Sequence, residues 1–243
     1  MMRNSVRRIA NRENKSREQI LGQIRGGVIV SCQALPDEPL YGSEMMAHMA
    51  DAAVRGGAVG IRANTSEDIR AIQHVTDLPI IGIIKKEYKD SKVYITPTMQ
   101  EVDELVKTGV CIIALDATDR KRPGGISLED LFTEVRVKYP NQLFMADCSC
   151  IEDGIRAERL GFDLVGTTLR GYTADTADKK IPDYAFLHEL TEKISIPVIA
   201  EGGIWETGQL QKVFAENAFA AVIGTAITRP RDITRRFVDS IVK

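Results

Sequence analysis

From Gly27 onward the chain repeats one unit: a run of consecutive apolar residues, a small or polar tip, then a stretch whose apolar positions recur at helical spacing. The apolar runs are GVIVSCQ (27–33), AVGIRA (58–63), PIIGIIK (79–85), CIIALDA (111–117), LFMADC (143–148), LVGTTL (164–169), PVIAEGG (197–203) and AAVIGTA (220–226). Unbroken apolarity marks strands covered on both faces, as in parallel sheets. Between them, GSEMMAHMADAAVRGG ends at Gly56-Gly57 and TMQEVDELVKTG runs from Thr98 to Gly109. SLEDLFTEVRVKY opens on Ser127, with Asp130 at capping-box distance, and stops before Pro140. RPRDITRRFVDSIVK closes the chain.

Strict alternation of strand and helix predicts a parallel sheet with helical crossovers. Eight such units within residues 27–243 predict an α/β fold, a single (β/α)8 TIM barrel. An open doubly wound sheet is the alternative, but SCQALPD after the first run lacks the GxGxxG turn usual there. Residues 1–26, MMRNSVRRIANRENKSREQILGQIRG, predict a basic N-terminal arm, helical or partly disordered. Its expected state is solvated or loosely docked; an RNA- or lipid-touching arm is the competing reading.

Composition narrows the function classes. A net charge of -2 gives no global reason to expect a nucleic-acid or membrane partner. No apolar run approaches the roughly 18–20 residues needed to span a bilayer, and the basic N-terminus lacks the apolar core of an export signal. A cytoplasmic location is expected. Cys32, Cys111, Cys148 and Cys150 show no zinc spacing and read as small buried thiols. His48, His74 and His188 fall in helical stretches away from the strand tips. No metal and no cofactor are expected.

In a barrel of this kind the C-terminal strand ends meet at one mouth. Those tips carry Gln33, Arg62, Lys85, Asp116, Asp147, Arg170 just past the sixth run, Glu201 and Gly224-Thr225. Burying charges costs several kcal/mol apiece unless they are paired or functional, so this many beside core segments points to chemistry. Gly202 and Gly203 end the seventh run, while Gly224 and Thr225 precede the last helix with Arg229 nearby. Glycine lets backbone N–H groups approach an anion, and the loops after strands seven and eight commonly hold phosphate. Lys85 could form a Schiff base or remove a proton next to a carbonyl, provided a dry mouth and a cation such as Arg62 lower its pKa. Lys86 is its neighbour, and a change of one residue in register would exchange their faces.

The segments VSCQALPDEPL, GIRA, LPIIGIIK, YITPT, IALDAT, RKRP, MADCS, TTLRGYT, IPVIAEGGI and GTAITRP, in this order, resemble the N-acetylmannosamine-6-phosphate 2-epimerase family from about Gly27 to the C-terminus. The resemblance implies an isomerase that interconverts N-acetylmannosamine 6-phosphate and N-acetylglucosamine 6-phosphate in sialic acid breakdown. It implies Lys85 and Glu201 as catalytic residues and Gln33, Arg62 and Asp147 as sugar-binding ones; Arg170, at the tip of the sixth run, is expected to bind substrate beside them. Gly202, Gly203, Gly224, Thr225 and Arg229 match its phosphate region. A Schiff-base aldolase and a non-catalytic sugar-phosphate sensor are the rival readings. A homodimer through the last helix is expected.

Overall fold

The computed structural model describes residues 15–241, so the first fourteen residues of the basic arm lie outside the described part. Helix α1 (Arg17–Ile24) leads into β1 (Val28–Cys32), α2 (Ser43–Arg55), β2 (Gly60–Asn64), α3 (Ser66–Val75) and β3 (Ile80–Ile83). There follow α4 (Met99–Val106), β4 (Ile112–Asp116), α5 (Leu128–Lys138), β5 (Leu143–Asp147), α6 (Ile151–Leu160) and β6 (Leu164–Gly166). The chain continues through α7 (Tyr184–Lys193), β7 (Val198–Glu201), α8 (Thr207–Ala215), β8 (Ala220–Ile223), α9 (Thr225–Thr228) and α10 (Pro230–Asp239). The strands close into an eight-membered barrel in chain order. Every pairing is parallel, including β1 with β8, where Val28 faces Ala221. The open-sheet alternative is thereby excluded.

The unbroken apolar runs split into two cores because successive side chains on a strand point to opposite faces. Val30, Ile61, Ile80, Ile113, Phe144, Val165, Val198 and Ala221 face outward under the helices. Ile29, Ile81, Ile83, Ile112, Leu143, Met145, Leu164, Ile199 and Val222 fill the barrel. The same two-residue step, continued past the ends of the strands, aims Ser31, Gln33, Arg62, Lys85, Asp116, Asp147, Thr168, Glu201 and Gly224 inward at the C-terminal end.

Helix α1 shuts the opposite end. Ser16 caps it, accepting from the backbone of Gln19 while the Gln19 side chain accepts from Ser16 N–H. Ile20 and Ile24, 7% and 1% exposed, join the inner core. The Arg17 guanidinium pairs with buried Asp163, and Arg25 lies over the Phe219 ring at 4.8 Å. This stretch of the basic arm is thus a plug rather than a solvated appendage: its few apolar residues, four apart, make one stripe that meets the open base of the barrel.

The connection after β3 and the stretch after β8 both add to simple alternation. Between β3 and α4 the chain folds a short hairpin, with antiparallel bridges Lys85–Ile95 and Tyr88–Ser91. After β8 the final helical stretch breaks at Arg229-Pro230 into α9 and α10, because proline lacks the N–H that would continue the first helix.

Candidate active site

A cavity of about 390 Å3 opens at the C-terminal mouth. Of the residues singled out by sequence, Gln33, Arg62, Lys85, Glu201, Gly202, Gly203, Gly224, Thr225 and Arg229 line it. Lys85 and Glu201, from opposite sides of the ring of strands, therefore face one space.

Lys85 is positioned by its neighbours on both sides. Its backbone N–H donates to Asn64 Oδ1 at 2.8 Å, and Thr96 N–H donates to Ile84 O at 2.8 Å across the hairpin. Ile81 and Ile83 point into the barrel and Lys85 continues their parity. Lys86 points away, its Nζ 3.0 Å from Glu101 Oε1 and 5.1 Å from the Tyr88 ring centroid. The register ambiguity between the two lysines is resolved in favour of Lys85. Burial, followed by the charges of Arg62 and Arg229, pulls the Lys85 amine down to about 8.

Arg62 is the hub of the floor. It is 1% exposed and forks onto Asp147, with Nη1 to Oδ1 at 3.0 Å and Nη2 to Oδ2 at 2.6 Å. Nη1 also donates to Glu201 Oε2 at 2.7 Å. Glu201 is fixed further by Thr167, whose hydroxyl donates to Glu201 O at 2.9 Å and accepts from Glu201 N–H at 2.9 Å. Burial raises the Glu201 carboxyl above the usual carboxylate range; Arg62 opposes this and Asp147 reinforces it. The Gln33 side chain donates to Ser31 Oγ at 2.8 Å, and its Oε1 is buried without a protein partner.

Three inward tips do not reach the cavity wall. Asp147 stands behind Arg62 and orients it. Asp116 accepts from the Thr118 hydroxyl at 2.7 Å and from Arg120 Nη2 at 2.6 Å. Arg170 is drawn off to Asp183, at 3.0 and 2.8 Å, and lies over the Phe186 ring at 4.5 Å. A carboxylate thirteen residues further along holds its guanidinium outside the cavity wall.

The glycine-bearing tips form one side of the cavity. Gly202 and Gly203 take φ of +110° and +70°, and a Cβ on Gly203 would lie 2.6 Å from the Ile181 carbonyl. Gly224 caps α9, and Arg229 reaches Glu38 Oε1 at 3.0 Å. Ser31, Thr168, Tyr94, Tyr172, Ile181 and Trp205 also line the cavity. Sequence reasoning did not name them. Ser31 and Thr168 obey the inward parity and could have been found by counting in twos from Ile29 and Leu164. Tyr94, Tyr172, Ile181 and Trp205 stand in loops, where no period applies.

His48, His74 and His188 are exposed on helices, and none of the four cysteines is in a disulfide. Among the described residues no three His, Cys, Asp or Glu side chains are grouped as a metal site requires, and no helix is long and apolar enough to cross a membrane.

Fold and site together define a class: a (β/α)8 barrel whose mouth sets a depressed amine and a raised carboxyl around one cavity with a glycine-rich side. Residues 46–243 match the family model NanE, described as "Putative N-acetylmannosamine-6-phosphate epimerase", and the chain belongs to this family. A "Putative N-acetylmannosamine-6-phosphate 2-epimerase" of Listeria innocua is 54% identical over 226 residues, 92% of this chain and 98% of the relative. One of the same description from Caldanaerobacter subterraneus is 50% identical over 222 residues, 91% of this chain and 94% of the relative. The solved N-acetylmannosamine-6-phosphate 2-epimerase of Clostridium perfringens superposes with a TM-score of 0.89 at 50% identity, covering 94% of this chain and 99% of that one. A thiamine phosphate pyrophosphorylase from Pyrococcus furiosus, at 16% identity and a TM-score of 0.60, shares the fold alone.

Proposed function

We propose that this chain is an isomerase that interconverts N-acetylmannosamine 6-phosphate and N-acetylglucosamine 6-phosphate by removing and returning a proton at C2. The single observation that carries the mechanism is that Lys85 and Glu201 line one cavity, the amine lowered to about 8 and the carboxyl raised. A base near neutrality and an acid that can hold a proton suit withdrawal and return of hydrogen next to a carbonyl. The open-chain aldehyde acidifies C2. Lys85 takes that hydrogen, an enolate forms across C1 and C2, and Glu201 delivers a proton to the opposite face. Arg62, held by Asp147, stabilises the developing oxyanion. Gln33, with its free carbonyl oxygen, accepts from a sugar hydroxyl or amide.

The backbone at Gly202, Gly203, Gly224 and Thr225 holds the phosphate, with Arg229 at its edge. Arg170 acts on substrate only by way of the loop it pins to Asp183. The test is to incubate the protein with N-acetylmannosamine 6-phosphate in deuterated water and follow C2 by NMR. Deuterium is expected at C2 of the product; product formed without it would refute the route, and borohydride trapping of sugar on Lys85 would favour the aldolase.

The homodimer and cytoplasmic location are part of this proposal. Helix α10 buries none of its residues, and Phe237 and Ile241 are 71% and 80% exposed at the end of the chain, which supports pairing through it. Sedimentation of the full chain should give twice the monomer mass. A charged sugar phosphate does not cross membranes unaided, which favours an enzyme working where its substrate is made.

A further inference from the structure

The hairpin between β3 and α4 carries Lys85 on its first arm, and the neighbouring Lys86 turns to the opposite face. What holds that outer face is Glu101, which stands in the first turn of α4 and is 1% exposed. One of its carboxyl oxygens closes the helix: Oε2 accepts from Thr98 N–H at 3.0 Å and from the Thr98 hydroxyl. The other looks away from the helix. Oε1 accepts from Lys86 Nζ at 3.0 Å and from the Tyr88 hydroxyl at 2.8 Å, both on the first arm of the hairpin. Burial works to raise the Glu101 carboxyl, but the bonds from Thr98, Lys86 and Tyr88 outweigh it and keep it below the usual range. Capping α4 needs Oε2 alone, so the contacts of Oε1 require a second reason.

Parity supplies that reason. Lys86 and Tyr88 stand two residues apart and share a face, whereas Lys85 and the exposed Glu87 alternate with them. A slip of one residue would bring Lys85 and Glu87 to Glu101, so a donor would be lost and a second carboxylate would meet the first. The same slip would swing Lys86 into the mouth. Glu101 thus accepts one register of the arm and repels the next, the use to which a buried ion pair is best suited. The other holds on the hairpin do not tell the two lysines apart. At its base the Thr96 hydroxyl donates to Ala114 O at 2.7 Å, and near its tip the Ser91 hydroxyl donates to Lys121 O at 2.8 Å.

We infer that Glu101 is a positioning residue for the reaction, which holds Lys86 and Tyr88 on the outer face of the hairpin and so turns Lys85 into the mouth. This rests on reading Lys85 as the base. The charged groups that face the Lys85 amine are Arg62 on β2, Arg229 after β8, Glu201 on β7 and Glu38 in the β1–α2 loop, and a substitution at Glu101 leaves all four in place. Without the latch the arm turns, water reaches the Lys85 amine, and the amine holds its proton more tightly.

The test is Glu101→Gln in the full chain. Glutamine can still cap the helix, but it has a single carbonyl oxygen and cannot serve Thr98 and the hairpin together. Competitive labelling with trace acetic anhydride across neutral and alkaline pH, resolved by peptide mass spectrometry, titrates Lys85 and Lys86 separately and needs no turnover. In the parent, Lys85 should titrate at about 8 and Lys86 at about 12. In Glu101→Gln the Lys85 midpoint is expected to rise by a pH unit or more. With N-acetylmannosamine 6-phosphate, kcat near neutrality should then fall about tenfold, as the neutral fraction of the amine does, while KM stays within about threefold. Lys86→Arg keeps the pair and should behave as the parent. If Glu101→Gln does not fold, Lys86→Met combined with Tyr88→Phe removes the same contacts, spares the helix cap and should give the same rise. An unmoved Lys85 midpoint, whatever the change in melting temperature, would overturn the inference by making Glu101 a helix cap and no more. A raised midpoint with kcat unchanged would instead refute the reading of Lys85 as the base.

Discussion

Replacing Lys85 with methionine should abolish turnover and yet make the protein more stable at neutral pH. Methionine keeps the apolar stem of the lysine and removes the amine. Burial, then Arg62 and Arg229, hold that amine at about 8 against an ordinary 10.5. At ~1.4 kcal/mol for each pH unit, the difference corresponds to about 3 kcal/mol. The sign follows from the direction. The folded value lies below the unfolded one, so between about 8 and 10.5 the unfolded chain binds a proton that the folded chain has released. Stability contributed by this group therefore rises with pH through that window, and its full cost is present below about 8. Removing the amine should gain about 3 kcal/mol at pH 7 but only about 2 kcal/mol at pH 9. Both figures are upper bounds, because Glu201 loses a nearby cation. Urea unfolding of parent and Lys85→Met at both pH values, at equal protein concentration, measures the two gains. A variant no more stable than the parent at pH 7, or a gain that does not shrink at pH 9, would refute the account of a strained, desolvated amine.

Because Lys85 must be neutral and Glu201 must hold its proton, kcat/KM should climb as the amine near 8 is deprotonated and fall again at higher pH as the carboxyl is lost; a rate already level at pH 6 would exclude Lys85 as the base. Gly203→Ala forces a Cβ against the Ile181 carbonyl at a φ of +70°. It should cost about 1–3 kcal/mol in a urea titration and raise KM for the phosphosugar, while an unchanged KM would remove Gly203 from the phosphate side. Ile24→Ala should destabilise by about 2–5 kcal/mol while leaving kcat intact, since the plug lies at the far end of the barrel; a fall in kcat would show coupling between the two ends.

The barrel was legible because its strands are buried on both faces and so appear as unbroken apolar runs, each ending in a tip. The mouth was legible for a related reason: Arg62, Lys85 and Glu201 are charged residues at the ends of runs that are otherwise core. Direction was harder to see. Runs that are apolar throughout hide the two-residue period, so Thr168 passed as part of a strand, and nothing in the run around Asp147 announced that its carboxylate is bonded to Arg62. Arg170 has the correct parity, but Asp183 and Phe186 decide where its guanidinium rests, and no local pattern reports a partner that distant. Helix α1 was masked by its charge. Only Ile20 and Ile24 of its residues are buried, and two side chains make little impression amid arginines and lysines.

Closure of β1 against β8 joins the two ends of the chain in one contact, and α1 leans on Phe219 beside it. A ribosome making this protein releases the plug and the first strand long before it has made their partner. Throughout that interval the edge of β1 that pairs with β8 has nothing native to bind. The nascent protein's most exposed period is thus its whole synthesis, and its seam is sealed only as the last strand emerges. A chaperone that shields β1 would be most useful then, and a chain cut short before β8 should aggregate rather than fold.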